Sequence, residues 1–597
     1  MKKFTVLFPS DNVETDVIEN TTLQQIIIDN GLDLEFPCGG VGVCKRCKVK
    51  IKSAGDADFH EELACQTKVH EDLVVEIPKK QKASKILLEG IERKVRHSPL
   101  IKKVFLNMDP PTLEDNRDDF SRVSGEKKNV FASLELLQSL PVLMRENDFK
   151  LTALMSGDEI IDLEPGNTSE RMLGVAFDIG TTTIAGYMMD LNTGEEIARF
   201  SDLNPQTKYG ADLISRIVYA SQNPSGLERL NGELIELINR LIEQAALSHG
   251  YVAQDVVAIT AAGNTAMNHL LLKIPPRNLA GSPYVPVVKQ ALIVDAVDLG
   301  LNIHPAGKLF SFPNVAGYVG GDTVAAALAC EIYKSKELAL LIDIGTNGEI
   351  VLGNKKKLLS CSVAAGPAFE GVQIECGMRG ASGAIDHVYI TEDEKFGYSV
   401  IGETEPEGIA GSGIVDVLAV LLDVGVIDHN GRILTPDKIT HPVGKKISSQ
   451  VKDVKGKTAF VIYEHPEEGP KVYLTQKDVR EFQLAKSAIA SGIEILLEEY
   501  PAEIADVRTL YLAGAFGSYL DHKNAARVGM FPEELLANTI SIGNAAGTGA
   551  KLTLLSEKEF NNCKKISRQI SYIELSSHPH FNEMFLGNLR FMPNADE

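Results

Sequence analysis

The strongest constraint in this sequence is a repeat. An apolar run over residues 173–177 leads into Asp178-Ile179-Gly180-Thr181-Thr182-Thr183; a second run reaches Met189, an Asn192-Thr193-Gly194 turn follows, and a third run ends at Phe200. The same layout returns 165 positions later, from Asp178 to Asp343. Residues 338–342 lead into Asp343-Ile344-Gly345-Thr346-Asn347-Gly348-Glu349, a second run ends near Leu352, and a Gly353-Asn354-Lys355 turn precedes a third run over 358–363. Short apolar runs bounded by Gly, Asn and Asp read as strands of a meander. Two such units predict two similar subdomains facing each other within one long α/β region, residues 171–597.

The turns carry the chemistry. A glycine in a tight turn lets backbone N–H groups approach phosphate oxygens, which assigns Gly180, Gly345 and Gly348 to phosphate binding. Thr181, Thr182, Thr183, Thr346 and Asn347 can hydrogen-bond the same oxygens. Asp178 and Asp343 end their strands where a carboxylate can hold Mg²⁺, through water, since Mg²⁺ keeps several waters. The chain has no G-x-x-x-x-G-K-[ST] and is not a P-loop protein.

Further glycine turns fit the same cleft. Leu512-Ala513-Gly514-Ala515-Phe516-Gly517 follows a strand, and Gly514 and Gly517 suit close approach of an adenine or ribose. Gly411-Ser412-Gly413 opens a helix over 414–422, whose N-terminus favours an anion. Gly366-Pro367-Ala368-Phe369-Glu370-Gly371 follows the third strand of the second repeat. Gly320-Gly321-Asp322 precedes a helix, where Asp322 is either an N-cap or a metal or water ligand; Ala262-Gly263-Asn264-Thr265 is similar. Asp322 and Glu370 are the candidates for a general base. Lys486, on a helix over 483–500, reads as a solvated lysine, and His578-Pro579-His580 as surface residues.

Of the eight cysteines, four crowd the N-terminus with spacing C-x5-C-x2-C and then seventeen residues to the last: Cys38, Cys44, Cys47 and Cys65. A [2Fe–2S] cluster takes four thiolates, and the plant-type spacing is C-x4-C-x2-C…C; the extra residue here matches adrenodoxin-like ferredoxins. Gly39, Gly40 and Gly42 let the loop wrap tightly. A structural zinc is the main rival, but it favours paired knuckles, and Cys65 has none. Cys330, Cys361, Cys376 and Cys563 read as buried thiols. Around the cysteines, residues 1–78 read as a small unit: strands at 4–8 and 13–18, a helix over 23–30 capped by Thr21 or Thr22 and ended by Gly31, then strands at 48–51 and 73–77. Residues 79–98 read as a charged, partly helical, solvated linker, and 99–170 as a small middle domain. The net charge of −21 disfavours nucleic acid and anionic membranes. No run reaches the length of a membrane helix, so a cytoplasmic protein is expected.

The duplicated DIGT units followed by LAGAFG resemble the superfamily of sugar kinases, heat-shock chaperones and actin. The whole chain, including Ala365-Gly366-Pro367-Ala368-Phe369-Glu370-Gly371 and Gln483-Leu484-Ala485-Lys486, resembles the ATP-dependent reductive activators of corrinoid proteins. The resemblance implies a β-grasp ferredoxin-like domain, a small middle domain, and an actin-like ATPase domain of two ribonuclease-H-like subdomains. It implies a [2Fe–2S] cluster, ATP with Mg²⁺, a corrinoid protein of a methyltransferase system as partner, an external low-potential electron donor, and a homodimer. Activity would be transfer of one electron to Co(II) corrinoid, regenerating Co(I). A small-metabolite kinase carrying a ferredoxin module, a radical dehydratase activator and a simple electron carrier are the alternatives; the separate four-cysteine module counts against the second.

Replacing one cluster thiolate separates the two modules: Cys47→Ser is expected to lose the cluster yet bind nucleotide as the parent does. Iron content of two per parent chain, with an EPR signal on reduction, checks this; four irons, or zinc alone, contradict it.

Overall fold

A computed structural model describes every residue except 1, 33, 35, 37, 38, 41, 43–45, 54–57, 79–87, 126–128, 211, 346, 372 and 593–597, and gives only the backbone at 367, 370 and 515. The N-terminal unit is a five-stranded sheet in the order Val13–Ile18, Lys3–Phe8, Leu73–Glu76, Lys48–Ser53, His60–Leu63. Alternation in Lys3–Phe8 buries Phe4, Val6 and Phe8 on one face, the period-2 pattern of a half-buried strand. The helix Leu23–Asp29 lies on that face and is capped by Thr22, whose hydroxyl accepts from the Gln25 N–H at 3.3 Å.

The two repeats build two six-stranded sheets of the same design. In the first, the meander Leu173–Ile179, Thr183–Asp190, Glu196–Leu203 continues through Val256–Gly263 and Lys308–Ser311, both parallel to the first strand, to Ile293–Asp295 at the edge. In the second, Leu338–Ile344, Gly348–Gly353 and Leu358–Val363 form the meander, and Val507–Ala513 and Thr539–Gly543 run parallel on the other side. Each meander carries its DIGT turn between its first two strands. The inner strands are apolar on both faces because each sheet is covered on both sides.

Two equivalent helices join the halves. Gly321–Ala329 follows the first sheet, Ala545–Leu555 the second, and they cross against each other. The crossing is close: a Cβ at Gly549 would sit 2.3 Å from the Ala325 carbonyl oxygen, so only glycine fits. Their residues share one core with Ala176 and Ala258 of the first sheet and Leu341 and Val351 of the second.

The linker differs from its reading as a solvated, partly helical segment. Its described residues from Leu88 onward are extended and bound. Gly90 pairs with Gly543, the Asn544 N–H donates to the Glu89 carbonyl at 2.8 Å, and the Ile91 N–H donates to Ile542 at 3.0 Å. Arg93 is mostly buried; it donates to the Leu328 carbonyl at 2.8 Å and pairs with Glu331 at 3.1 Å and Glu559 at 2.9 Å. One side chain thus closes the C-terminal end of the first joining helix and reaches the second half of the molecule. Arg93 and His97, two of the basic residues that suggested solvation, instead reach the Leu328 and Leu191 carbonyls, while Lys94 and Arg96 are exposed.

Residues beyond the linker form a four-stranded sheet, Ile101–Asn107, Lys150–Ser156, Glu159–Pro165 and Phe131–Ala132, with the helix Leu134–Glu146 packed on it. It is tied to the first half through Glu164, which pairs with Lys103 at 2.8 Å and with His304 at 2.8 Å. Among the described residues no helix is long and apolar enough to cross a membrane.

Burial alone raises the Glu164 carboxyl, but hydrogen bonds from His304, Lys103 and Thr168 outweigh it and hold the group at about 2. The unfolded value is about 4.3, so this carboxylate stabilises the fold above that value, and the gain is lost as pH falls towards 2. Glu164→Gln is therefore expected to lower the thermal midpoint at pH 7, with the deficit shrinking below about pH 4; melting curves across pH check this.

Candidate functional site

The two halves enclose a cleft of about 510 Å³. Both DIGT turns open into it: Asp178, Gly180, Thr181, Thr182 and Thr183 from the first, and Asp343, Gly345 and Asn347 from the second. The pseudo-symmetry of the sheets explains the convergence. Asp178 is registered with Ala262 of the neighbouring parallel strand, and Asp343 with Ala513, so the loops beginning Gly263-Asn264 and Gly514 lie beside the two aspartates. Asn264 donates to the Thr181 hydroxyl at 3.1 Å and shapes the first turn. Gly514 has φ +87°, and a Cβ there would come within 2.8 Å of the Asp343 carboxylate.

Five carboxylates line this cleft, Asp386 beside His387 and four others around the DIGT turns. Asp322, on the first joining helix, and Glu349, at the end of the second DIGT sequence, join Asp178 and Asp343 in lining it. Asp322 is not the N-cap, a position held by Gly320; it accepts from the Thr323 N–H at 2.7 Å. Asp178 accepts from the Asn544 side-chain amide at 2.9 Å, a bond from the second half to the first. Burial pushes Asp178 up to about 7, opposed by the Asn544 bond and reinforced by the charge of Asp322. Burial pushes Asp343 to about 7, helped by Asp322 and Asp178. Burial lifts Asp322 to about 6, and burial with the charges of Asp322 and Asp343 lifts Glu349 well above its usual range. Four mutually repelling, desolvated carboxylates form a cation-seeking donor set of hard oxygen ligands.

The far wall is apolar and aromatic. Phe369 and Phe516 stack with centroids 4.9 Å apart, and Phe482 meets Phe369 edge-on at 5.7 Å. Phe369, Phe516, Met378, Gly411, Ser412 and Gly514 line this end, which suits a flat heteroaromatic ring above an anion-favouring helix start. His387 also faces the cleft, held by the buried Asp416 at 2.9 Å.

In the N-terminal unit, Cys47 and Cys65 are buried and their sulfurs lie 3.2 Å apart. A disulfide would need about 2.05 Å, so the two sulfurs converge without being bonded to each other. Gln66 donates to the Gly40 carbonyl at 2.8 Å and to the Cys65 sulfur at 3.6 Å, tying the loop around them. Cys38 and Cys44 lie outside the described residues.

Comparison with known proteins follows this layout. Residues 337–597 match the model described as the C-terminal domain of RACo, the ASKHA domain; 173–335 match the RACo middle region, 90–170 the RACo linker region, and 8–70 the 2Fe-2S iron-sulfur cluster binding domain. The corrinoid activation enzyme RamQ of Eubacterium limosum is 36% identical over 99% of both chains. This chain belongs to the RACo family. The [Co(II) methylated amine-specific corrinoid protein] reductase of Methanosarcina barkeri is 24% identical over 70% of this chain and 77% of its own. The solved structure of a reductive activator for corrinoid, iron-sulfur protein superposes with a TM-score of 0.74 at 34% identity, covering 98% of each chain. This RACo-family chain is an enzyme of reductive activation, with a ferredoxin-type 2Fe–2S domain and an actin-like nucleotide-binding domain.

Within the RACo-family cleft, the glycines sort into two groups. Gly180, Gly345, Gly411 and Gly514 line it, whereas Gly348, Gly413 and Gly517 are packed against Val363, Ile385 and Leu512. Thr346 and the side chain of Glu370 lie outside the described residues. Lys486 is buried, at 2% exposure, rather than solvated: the helix runs Gln476–Glu499, seven residues longer at its start, and Lys486 donates to the Arg590 carbonyl beneath the Phe591 ring. Burial lowers its amine to about 8. The Thr475…Asp478 capping box was the unread signal for the earlier start. His580 is exposed and pairs with Glu498 at 2.7 Å; His578 is partly buried and lies 3.4 Å from Glu499. Cys330, Cys361 and Cys563 are buried thiols, and Cys376 is half-buried. Residues given no role from sequence, above all Glu349, Asn544, Phe369 and Phe516, complete the cleft.

Removing one of four clustered charges relieves repulsion. Asp343→Asn is expected to raise the thermal midpoint of the metal-free protein while lowering Mg·ATP hydrolysis roughly 100-fold or more, the scale of lost metal-assisted charge stabilisation. Melting in EDTA and a phosphate-release assay check the two halves of this outcome; a lowered midpoint contradicts the repulsion.

Proposed function

We propose that this chain couples ATP hydrolysis in its cleft to the transfer of one electron from its [2Fe–2S] cluster to the Co(II) corrinoid of a partner protein, regenerating Co(I). The observation that carries the reading is the joining, in one chain, of a thiolate-bearing ferredoxin module to a two-loop nucleotide cleft, as in relatives named for corrinoid activation. Cys38, Cys44, Cys47 and Cys65 would hold the cluster. Asp178, Asp343, Asp322 and Glu349 would hold Mg²⁺; Gly180, Thr181, Thr182, Thr183, Gly345, Thr346 and Asn347 the phosphates; Gly411, Ser412, Gly514 and Phe516 the nucleoside. When bound, the cluster supplies a low-potential electron and Mg·ATP supplies the free energy of the phosphoanhydride.

The residues do the rest. The four carboxylates would hold a cation, which would neutralise phosphate charge beside the DIGT turns. The aromatic wall excludes water from the nucleoside. Asn544 links Asp178 to the second half, so a ligand held by both DIGT turns favours one relative placement of the halves over others, the condition for a ligand to shift an equilibrium. That coupling has work to do: plant-type clusters sit near roughly −400 mV, Co(I) corrinoid is the stronger reductant, and each ~59 mV is a factor of ten for one electron. An external donor of low potential, a homodimeric assembly, and no nucleic-acid or membrane partner complete the proposal; the charge of −21 supports the last.

The test mixes the reduced protein anaerobically with a Co(II) corrinoid methyltransferase subunit, with and without Mg·ATP, and follows the Co(I) absorption band. Co(I) is expected with ATP, and none from Cys47→Ser. Equal Co(I) without ATP, or full-rate Co(I) from Cys47→Ser, overturns the reading.

A further inference from the structure

The ferredoxin module touches both halves of the nucleotide domain, and the two contacts differ in kind. Towards the first half it is broad. Its core is continuous with that of the first sheet, Asp29 pairs with Arg229 at 2.9 Å, and a Cβ on Gly39 would lie 3.2 Å from Ser215. Towards the second half, among the described residues, the contact runs through Arg46, the residue just before the cluster cysteine Cys47. Its guanidinium donates to the carbonyls of Gly371 and Ile374, at 3.2 and 3.1 Å.

Those carbonyls belong to a segment that is also part of the nucleotide wall. Phe369, packed on Phe516, lies two residues before Gly371, and Met378 four after Ile374; both line the cleft. The segment has little freedom to move piecemeal. A Cβ on Gly371 would sit 2.6 Å from the Met378 backbone nitrogen, and one on Gly411 1.9 Å from the Phe369 carbonyl oxygen. A shift of Phe369 therefore carries the Gly371 and Ile374 carbonyls with it. Interior packing this close moves as a unit rather than deforming continuously.

From these contacts we propose that Arg46 is the positioning residue that couples the nucleotide cleft to the docking of the cluster module. The inference rests on the reading above and adds the path. A module fixed to one half and latched to the other cannot keep both contacts when the halves change their relative placement. The narrower contact, at Arg46, is the one that yields. Nucleotide occupancy then sets whether the cluster module, carried on the first half, is held against the second half or released from it. Linkage makes the effect reciprocal: a docked module changes nucleotide affinity by the same factor by which nucleotide changes docking.

The test uses the full-length, cluster-loaded protein and Arg46→Gln, with Arg46→Lys as the conservative variant. Both are first shown to hold two irons per chain and to reduce ferricyanide at the parental rate, so that cluster assembly is not what is read. Hydrogen exchange is then followed with and without Mg·AMP-PNP. In the parent, nucleotide is expected to change exchange in the module helix Leu23–Asp29 as well as in the DIGT turns. In Arg46→Gln the turns respond and the module helix does not, with Arg46→Lys between. ATP stimulation of Co(I) formation falls about fivefold or more in Arg46→Gln, at the lower end of ordinary coupling strengths, while unstimulated ATP hydrolysis stays parental. A module helix that ignores nucleotide in the parent, or responds equally in Arg46→Gln, overturns the latch. The exchange readout uses no corrinoid, so failure of the latch is distinguishable from failure of the proposed reaction.

Discussion

Two helices crossing behind the cleft set the geometry on which the rest depends. Gly321–Ala329 and Ala545–Leu555 approach so closely at Gly549 and Ala325 that no side chain fits between them. A close, smooth crossing lets the two sheets share one core yet turn about a short axis. Everything in the cleft hangs from this contact: Asp322 projects from the first helix, and Asn544 caps the second while holding Asp178. The second half thus supplies, in Asn544, a residue that completes the first DIGT turn, and the first half supplies Asp322 to the same cleft.

The electrostatics of the cleft work against folding and for binding. Desolvation raises the proton affinity of the four carboxylates, and for Asp178, Asp343 and Glu349 the charges of their neighbours add to it, a cost that a divalent cation removes. Such strain is stored at functional sites and offset by the surrounding structure. Here the offset lies nearby, in the apolar joining helices and in the strands beneath the turns. The paired rings of Phe369 and Phe516 line the same cleft, so it offers an apolar surface for a ring as well as oxygen ligands for an ion.

Much of this was legible in the sequence because repetition is visible without a structure. The DIGT strands, their turns and the cysteine spacing each follow from local pattern, and the meanders form where the apolar runs placed them. Local pattern fails where a residue's partner is distant. Lys486 looked solvated because the Arg590 carbonyl lies a hundred residues away. The linker looked loose because its basic residues give no hint that Leu328 and Glu559 wait for Arg93. Asn544 carries no motif of its own; only the position of the second helix reveals it. Among the glycines, those that approach the cleft and those that allow strand or helix packing read alike until the register is known.

The strap formed by residues 88–98 has a consequence for how the chain is made. Gly90 pairs with Gly543 and Ser98 with Ser556, partners about 450 residues later. At roughly 5–20 residues per second, the strap waits on the order of half a minute or more for its site to emerge from the ribosome. During that time the ferredoxin module, whose strands pair locally, can complete its own sheet. The nucleotide cleft cannot, because Asn544 and the second joining helix are translated about 450 residues later. Synthesis therefore makes the ferredoxin module before the nucleotide cleft, and the strap seals the two halves together only once Gly543 and Ser556 have been made.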